Sequence, residues 1–339
     1  MENPVPSSAD DTILSRPLEE KILFFAVMVA ALVLVIVTED SERMYWPYML
    51  TSYAMAALVF LYETRRIEPE NRPTLRNYLF PGRVWFHQSA GHDFAVTLIN
   101  VCLLTNLSSF LLFHSDAIAH HISRFLHGLA SNTGASPSAG VIIFYTLVSW
   151  IFADILHYFA HRASHEVRWL WEFHKVHHSA RTLNPLTVSR AHPVDVLLIM
   201  GARTLGETIA AVIFLYFYPN LHGVKTVGGV NLFIFIAYFL GTNMHHMHIW
   251  MSYGPLEYIF LSPSQHQIHH SENPQHYNRN YASILTLWDT LFGTVYITKG
   301  KEDLTFGLGE ETKHYQTLRD IYIRPIKRAF RRRKKSTPS

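Results

Sequence analysis

The chain has 339 residues, of which 49% are hydrophobic, 14% aromatic and only 16% charged, with a formal net charge of +3. That charge is too small to imply a nucleic-acid partner, and the long apolar runs point instead to a membrane protein. The one cysteine, Cys102, lies inside an apolar run, which excludes an internal disulfide, a cysteine-based zinc site and an iron–sulfur cluster held by this chain alone.

In chain order, residues 1–20 are polar, lack the pattern of a secretory signal peptide and are expected to form a loose tail. Apolar runs at 21–37 and 45–62 predict two N-terminal membrane helices, the second with Tyr45, Trp46 and Tyr48 at the aromatic-belt level. The linker 63–77 carries Arg65, Arg66, Arg72 and Arg76, a cationic cluster expected on the cytoplasmic side. A segment 78–91 lying in the interface is followed by a third span at 93–113, a loop over 114–139 on the opposite side, and a fourth span at 140–156. Runs at 194–218 and 227–240 predict a fifth and a sixth span or re-entrant hairpin. The C-terminal stretch 301–339 reads as a basic tail, its 324–335 segment RPIKRAFRRRKK serving topology or anionic lipid.

Histidine carries the chemistry. The chain has 22, and seven fall in each of two segments, 157–192 and 245–276. His161 and His165 form an HxxxH; His174, His177 and His178 form an HxxHH; His266, His269 and His270 form a second HxxHH. On a helix, positions i, i+3 and i+4 share one face, so each box aims its imidazoles at one point. The three boxes supply eight imidazoles. A structural zinc takes about four ligands, so the count suggests two metals. Paired apolar spans begin and end on the same side, which brings the boxes to one membrane face. Zinc has no redox chemistry, copper fits the ligand type, and redox iron suits a pair of imidazole-rich sites. The zinc-protease motif HExxH is absent: His165-Glu166 begins it, but Trp169 stands where its second histidine would be.

The runs Asp154…His161-Arg162-Ala163-Ser164-His165 and Trp169-Leu170-Trp171-Glu172-Phe173-His174-Lys175-Val176-His177-His178-Ser179 resemble the fatty acid hydroxylase/sterol desaturase superfamily. So do Arg190-Ala191-His192-Pro193, Gly254-Pro255-Leu256-Glu257, Ser262-Pro263-Ser264-Gln265-His266-Gln267-Ile268-His269-His270-Ser271 and Trp288-Asp289-Thr290-Leu291-Phe292-Gly293-Thr294. The resemblance covers residues 90–300, leaving the N-terminal spans and the basic tail outside it.

It implies an all-α integral membrane helical bundle with a cytosolic, histidine-rich helical cap that holds a di-metal site. The expected organisation is a tail (1–20), two membrane helices with a basic linker (21–90), a hydroxylase-like domain with about four membrane helices or hairpins (91–300) and the tail (301–339). It further implies a non-haem di-iron enzyme that uses O2 and external electrons to hydroxylate or desaturate a sterol or fatty-acyl C–H position. The electrons would come from a separate donor, a reductase with a carrier of cytochrome b5 or ferredoxin type. The implied iron ligands are His161, His165, His174, His177, His178, His266, His269 and His270, joined by His246, eight residues before Gly254. His192, His245 and His248 are further candidates, with His157 and His276 beside them. Asp154, Glu172, Asp195 and Asp289 are the carboxylates placed to orient ligating rings. The alternative is a non-catalytic membrane metal-binding or transport protein, which would carry its ligands along a path at the bilayer midplane rather than beyond the apolar runs.

Overall fold

The computed structural model describes residues 17–331 except 25, 28, 29, 31–45, 130–135, 222, 228 and 229; for 102, 104–116 and 127–129 it describes the backbone alone. The described elements are helical apart from one two-stranded hairpin. In order they are α1 (Trp46–Thr64), α2 (Leu75–Leu79), α3 (Gly82–Trp85), α4 (Gln88–Leu129), α5 (Ala139–Glu166), α6 (Arg168–His178) and α7 (Pro193–Phe217). The hairpin β1 (Thr226–Val227) and β2 (Val230–Asn231) follows, then α8 (Leu232–Phe239), α9 (Pro263–His269), α10 (Leu287–Phe292) and α11 (Leu318–Ala329).

Helices α5 and α7 are the two long and apolar enough to cross a membrane among the described residues. Their starts are written in the sequence. The Ser138 hydroxyl accepts from Val141 N to open α5. The His192 ring accepts from Val194 N with Pro193 at the first helical position of α7. The two helices pack closely along small residues. Ala153, Ala210 and Gly206 are buried between them, and a Cβ on Gly206 would fall on the Phe152 backbone carbonyl. Small residues at such crossings let backbones approach. On the opposite side of α5 an aromatic core joins Tyr48 of α1, Trp150 and Tyr158 of α5, Ile234 and Tyr238 of α8, and Tyr281 and Trp288 from the chain around α10.

A buried ion pair fixes the start of α4 against the loop that follows α6. Arg190 Nη1 donates to Asp93 Oδ1 at 3.0 Å, with both side chains all but inaccessible. Asn184 Nδ2 and Thr187 Oγ1 donate to Asp93 Oδ2 at 2.7 and 2.8 Å. Arg190 also reaches Ser89 O at 3.1 Å and Ser179 Oγ at 2.9 Å. Every charge here is met by several partners, the condition under which buried ions persist.

Three expectations need correction. The run at 227–240 is not a span: its first residues belong to the hairpin, in which Thr226 pairs with Asn231 and Val227 with Val230. Asn231 then caps α8, and Gly241 at φ 96° ends the segment. A helix of 8 residues rises ~12 Å, well short of a bilayer core. The loop expected over 114–139 is helical to Leu129, making α4 42 residues long. Ala119 and Ser123, one helical turn apart, are both buried, a periodicity that polar residues such as His120 and His121 obscure in the sequence. The basic tail expected from residue 301 packs onto the fold as far as residue 331. Tyr315 and Ile321 are buried against Val176 of α6, and Arg328 of α11 pairs with Glu172 of α6 at 3.3 Å. The helix expected over 45–62 is α1, whereas the 1–20 tail and the 21–37 run lie mostly outside the described residues.

The α5–α7 crossing gives a direct test. Gly206→Ala should lower stability by about 1–3 kcal/mol through overpacking, seen as a lower thermal midpoint in detergent. Gly201→Ala on the same helix, with nothing within 4 Å of the added Cβ, should be neutral or slightly stabilising.

Candidate metal centre

The three boxes arrive on three elements. His161 and His165 sit in the last two turns of α5, which stops at Val167. His174, His177 and His178 follow at once on α6. His266 and His269 lie on α9 and His270 at its C-cap. The Ser262 hydroxyl accepts from Gln265 N while the Gln265 side chain accepts from Ser262 N, a capping box that orients this short helix. His246 closes the 3-10 turn Thr242–His246.

These rings collect into two groups: His161, His165, His174, His178 and His269 in one, and His177, His246, His266 and His270 in the other. Within each group one ligand atom per residue lies within 4.8 Å of every other. The nine are the nine singled out from the sequence. The HxxHH boxes split, however. His174 and His178 face the first group while His177 faces the second; His269 faces the first while His266 and His270 face the second. The groups adjoin, with 4.6 Å between the ring centroids of His178 and His270.

Tautomer logic tests whether metal fits. His161 Nδ1 lies 2.6 Å from the carbonyl of Tyr281, and a carbonyl only accepts, so Nδ1 carries the proton. His174 Nδ1 lies 2.8 Å from Asp195 Oδ2 and donates to it. With Nδ1 committed in both rings, the two Nε2 atoms are left facing each other at 3.1 Å, an arrangement that a cation between them would satisfy. His177 Nδ1 donates to Arg190 O at 3.2 Å and His269 Nδ1 to Arg279 O at 2.8 Å, again freeing Nε2. The buried His269 Nε2, His165 Nε2 and His266 Nδ1 have no hydrogen-bond partner among the described residues. Burial holds His178, His266, His269 and His270 well below the usual 6.5 and takes His177 to about 3. Neutral imidazole is the form that binds first-row metals. The residues fit two adjacent metal ions with all-imidazole donors.

The other candidate rings are turned elsewhere. His192 uses both nitrogens, donating from Nε2 to Tyr322 O at 3.0 Å and accepting from Val194 N at Nδ1. His245 Nε2 donates to Leu261 O at 2.9 Å and His248 Nε2 to Tyr78 O at 2.8 Å. His276 pairs with Glu302 at 3.2 Å, and His157 stands outside both groups. The four carboxylates divide as well. Asp195 contacts a cluster ring directly and is itself held by Ser164 Oγ at 3.1 Å. Asp289 works through backbone, accepting from Tyr281 N and Ala282 N at 2.8 and 2.9 Å, which fixes the carbonyl that receives His161. Asp154 and Glu172 do not orient a ring. Asp154 accepts from Trp288 Nε1 at 2.9 Å, and Glu172 pairs with Lys175 and Arg328. The carbonyls of Tyr281, Arg190 and Arg279 escape sequence reading because backbone acceptors have no side-chain signature.

Asp195→Ala should cut the metal affinity of the five-histidine group by about 10–100-fold, measured by chelator competition. Glu172→Ala, which removes a carboxylate facing α11, should leave that affinity unchanged.

Residues 146–294 match the fatty acid hydroxylase family. Over 160 residues the chain is 32% identical to ornithine lipid hydroxylase OlsE of Rhizobium tropici, covering 47% of this chain and 44% of that protein. It is 28% identical over 166 residues to alkylglycerol monooxygenase of Homo sapiens, covering 49% and 33%. It is 28% identical over 148 residues to methylsterol monooxygenase 1 of Rattus norvegicus, covering 42% and 44%. The chain thus spans less than half the length of these relatives, and no solved structure matches it. The matched segment begins on α5 and holds all nine clustered histidines, so the likeness to the fatty acid hydroxylase family falls on the part of the chain that carries the metal-binding geometry.

Proposed function

We propose that this chain is a membrane-bound di-iron monooxygenase that inserts oxygen into a C–H bond of a lipid. The observation that carries the reading is the pair of adjoining all-histidine groups whose Nε2 lone pairs converge. Iron bound there would supply the reduction of O2 to an oxidant able to break an unactivated C–H bond. His161, His165, His174, His178 and His269 would hold one ion, and His177, His246, His266 and His270 the other. Asp195 and the carbonyls of Tyr281, Arg190 and Arg279 keep the Nδ1 protons in place, so that Nε2 points inward. Burial excludes water from most of these rings, which protects a reactive oxidant from side reactions.

The relatives are named for lipid substrates of different kinds: an ornithine lipid, an alkylglycerol and a methylsterol. Their names favour hydroxylation over desaturation, and a lipid over a water-soluble substrate. Helices α5 and α7 would anchor the domain, with the metal-bearing end of α5 on the cytoplasmic face and electrons arriving from a separate carrier of cytochrome b5 or ferredoxin type.

The test uses the full chain purified from iron-supplemented cells. Wild type should hold about two iron ions per chain. It should also oxidise a member of a lipid panel under O2 with a chemical reductant and carrier. His269→Ala and His174→Ala should each lose iron and at least about 100-fold of the oxidation. Lipid oxidation retained by either variant would overturn the site. Metal bound without oxidation of any lipid would favour a metal-carrying protein.

A further inference from the structure

Two short segments beside the metal groups are built inside out for a water-facing surface. In 254–260, Glu257 is fully buried while Leu256, Tyr258, Ile259 and Phe260 are exposed. In 287–292, Asp289 is fully buried while Leu291 and Phe292 are exposed, Leu291 to 64%. The two acids are fully engaged within. Glu257 accepts from Ser262 Oγ at 2.7 Å and from Ser264 Oγ and Thr298 N at 3.1 Å; Asp289 accepts from Tyr281 N, Ala282 N and Thr294 Oγ1. The segments are joined by hydrogen bonds from Thr286 Oγ1 to Glu257 O at 2.7 Å and from Thr290 Oγ1 to Tyr258 O at 2.9 Å, so their outward side chains form one surface. Water-facing loops reverse this arrangement, and a contiguous apolar patch of aromatic and aliphatic side chains marks a contact surface.

We propose that this surface lies in the plane of a lipid bilayer, with its apolar side chains among the acyl chains. Three observations select lipid as the occupant. First, the patch continues onto a helix long and apolar enough to span: the Phe292 ring lies 5.1 Å from that of Phe159, itself exposed on α5. Second, a cation stands at its edge. The half-buried Arg279 donates to Gly293 O at 3.2 Å, at the end of α10, and long basic side chains at such a rim reach lipid phosphates. Third, the two segments are too short to cross a bilayer themselves, the turn Gly254–Tyr258 having 5 residues and α10 having 6, so apolar side chains on them suit the plane of the interface. Segments that lie in the interface bury one face to a depth of about 5–10 Å.

The patch also sits at the metal-bearing end of α5. Phe159 lies two residues before His161, and Tyr281, whose carbonyl takes the His161 proton, packs on Tyr158. Seated in the bilayer, it would hold the metal-bearing end of α5 against the membrane surface.

The experiment is depth-resolved quenching on the full chain in phosphatidylcholine vesicles. In a Cys102→Ser background, Leu291→Cys and Phe260→Cys each carry an environment-sensitive fluorophore. Glu310→Cys, at a side chain 94% exposed, reports water, and Phe144→Cys on α5 reports the bilayer. Labels on exposed side chains require no repacking, and a monodisperse gel-filtration peak checks the fold. Leu291 and Phe260 labels should be quenched by nitroxide-bearing lipid, as at Phe144, and be at least about fivefold less sensitive to iodide than Glu310. Iodide quenching equal to that at Glu310 would overturn the proposal. So would protection from both quenchers, which means that a second copy or another protein covers the patch. The readout is independent of metal and of catalysis, so it stands apart from the proposed function.

Discussion

Nine imidazoles packed into one buried volume are the constraint that the rest of this structure serves. Where the Nδ1 of a ring is committed to a carbonyl or carboxylate, its Nε2 carries only a lone pair, and His161 and His174 aim theirs at one another across 3.1 Å. A metal ion between them would satisfy both nitrogens. An ion bound there would also stabilise the fold, because a ligand that binds the native state and not the unfolded chain favours the native state.

The fold answers this constraint with rigid, locally specified pieces. Helix α5 delivers two rings from its end, and α6 restarts one residue later with three more. The capping box at Ser262 and Gln265 sets the axis of α9. The loop between α6 and α7 is held by the Arg190–Asp93 pair, and the same Arg190 supplies the carbonyl that fixes His177. One residue therefore couples the first turns of α4 to the orientation of a ring in the metal groups. Asp195, in the first turn of α7, does the same for His174. The close α5–α7 crossing at Gly206 thus matters to the chemistry as well as to packing, since one helix carries His161 and His165 and the other carries the carboxylate that orients their neighbour.

The apolar surface around Phe260 and Leu291 and the metal groups are two sides of one wall. The acids Glu257 and Asp289 turn inward to organise the loops behind the rings, and the residues between them turn outward. Asp289 links the two sides, because its carboxylate fixes the Tyr281 backbone that receives the His161 proton.

The histidine boxes were legible in the sequence because side chains at i, i+3 and i+4 share one side of a helix, although the two HxxHH boxes each divide between the groups. His246, which lies in no box, was named only through the family resemblance, whereas helices α5 and α7 were legible from length and hydropathy. The sequence could not tell which ring of each HxxHH faces which group, since that depends on how α6 and α9 are rotated against each other. Nor could it choose Asp195 over Glu172, because both lie near boxes and only packing decides which carboxylate meets a ring and which meets Arg328. His192 looked like a ligand and proved to cap a helix. The sixth apolar run failed as a span because Asn231 and Gly241, local signals for a helix start and stop, outweighed its average hydropathy. Local periodicity thus determined the donors, whereas relative helix placement, set by contacts between residues far apart in the chain, decided their grouping, their proton partners and the surface they stand behind.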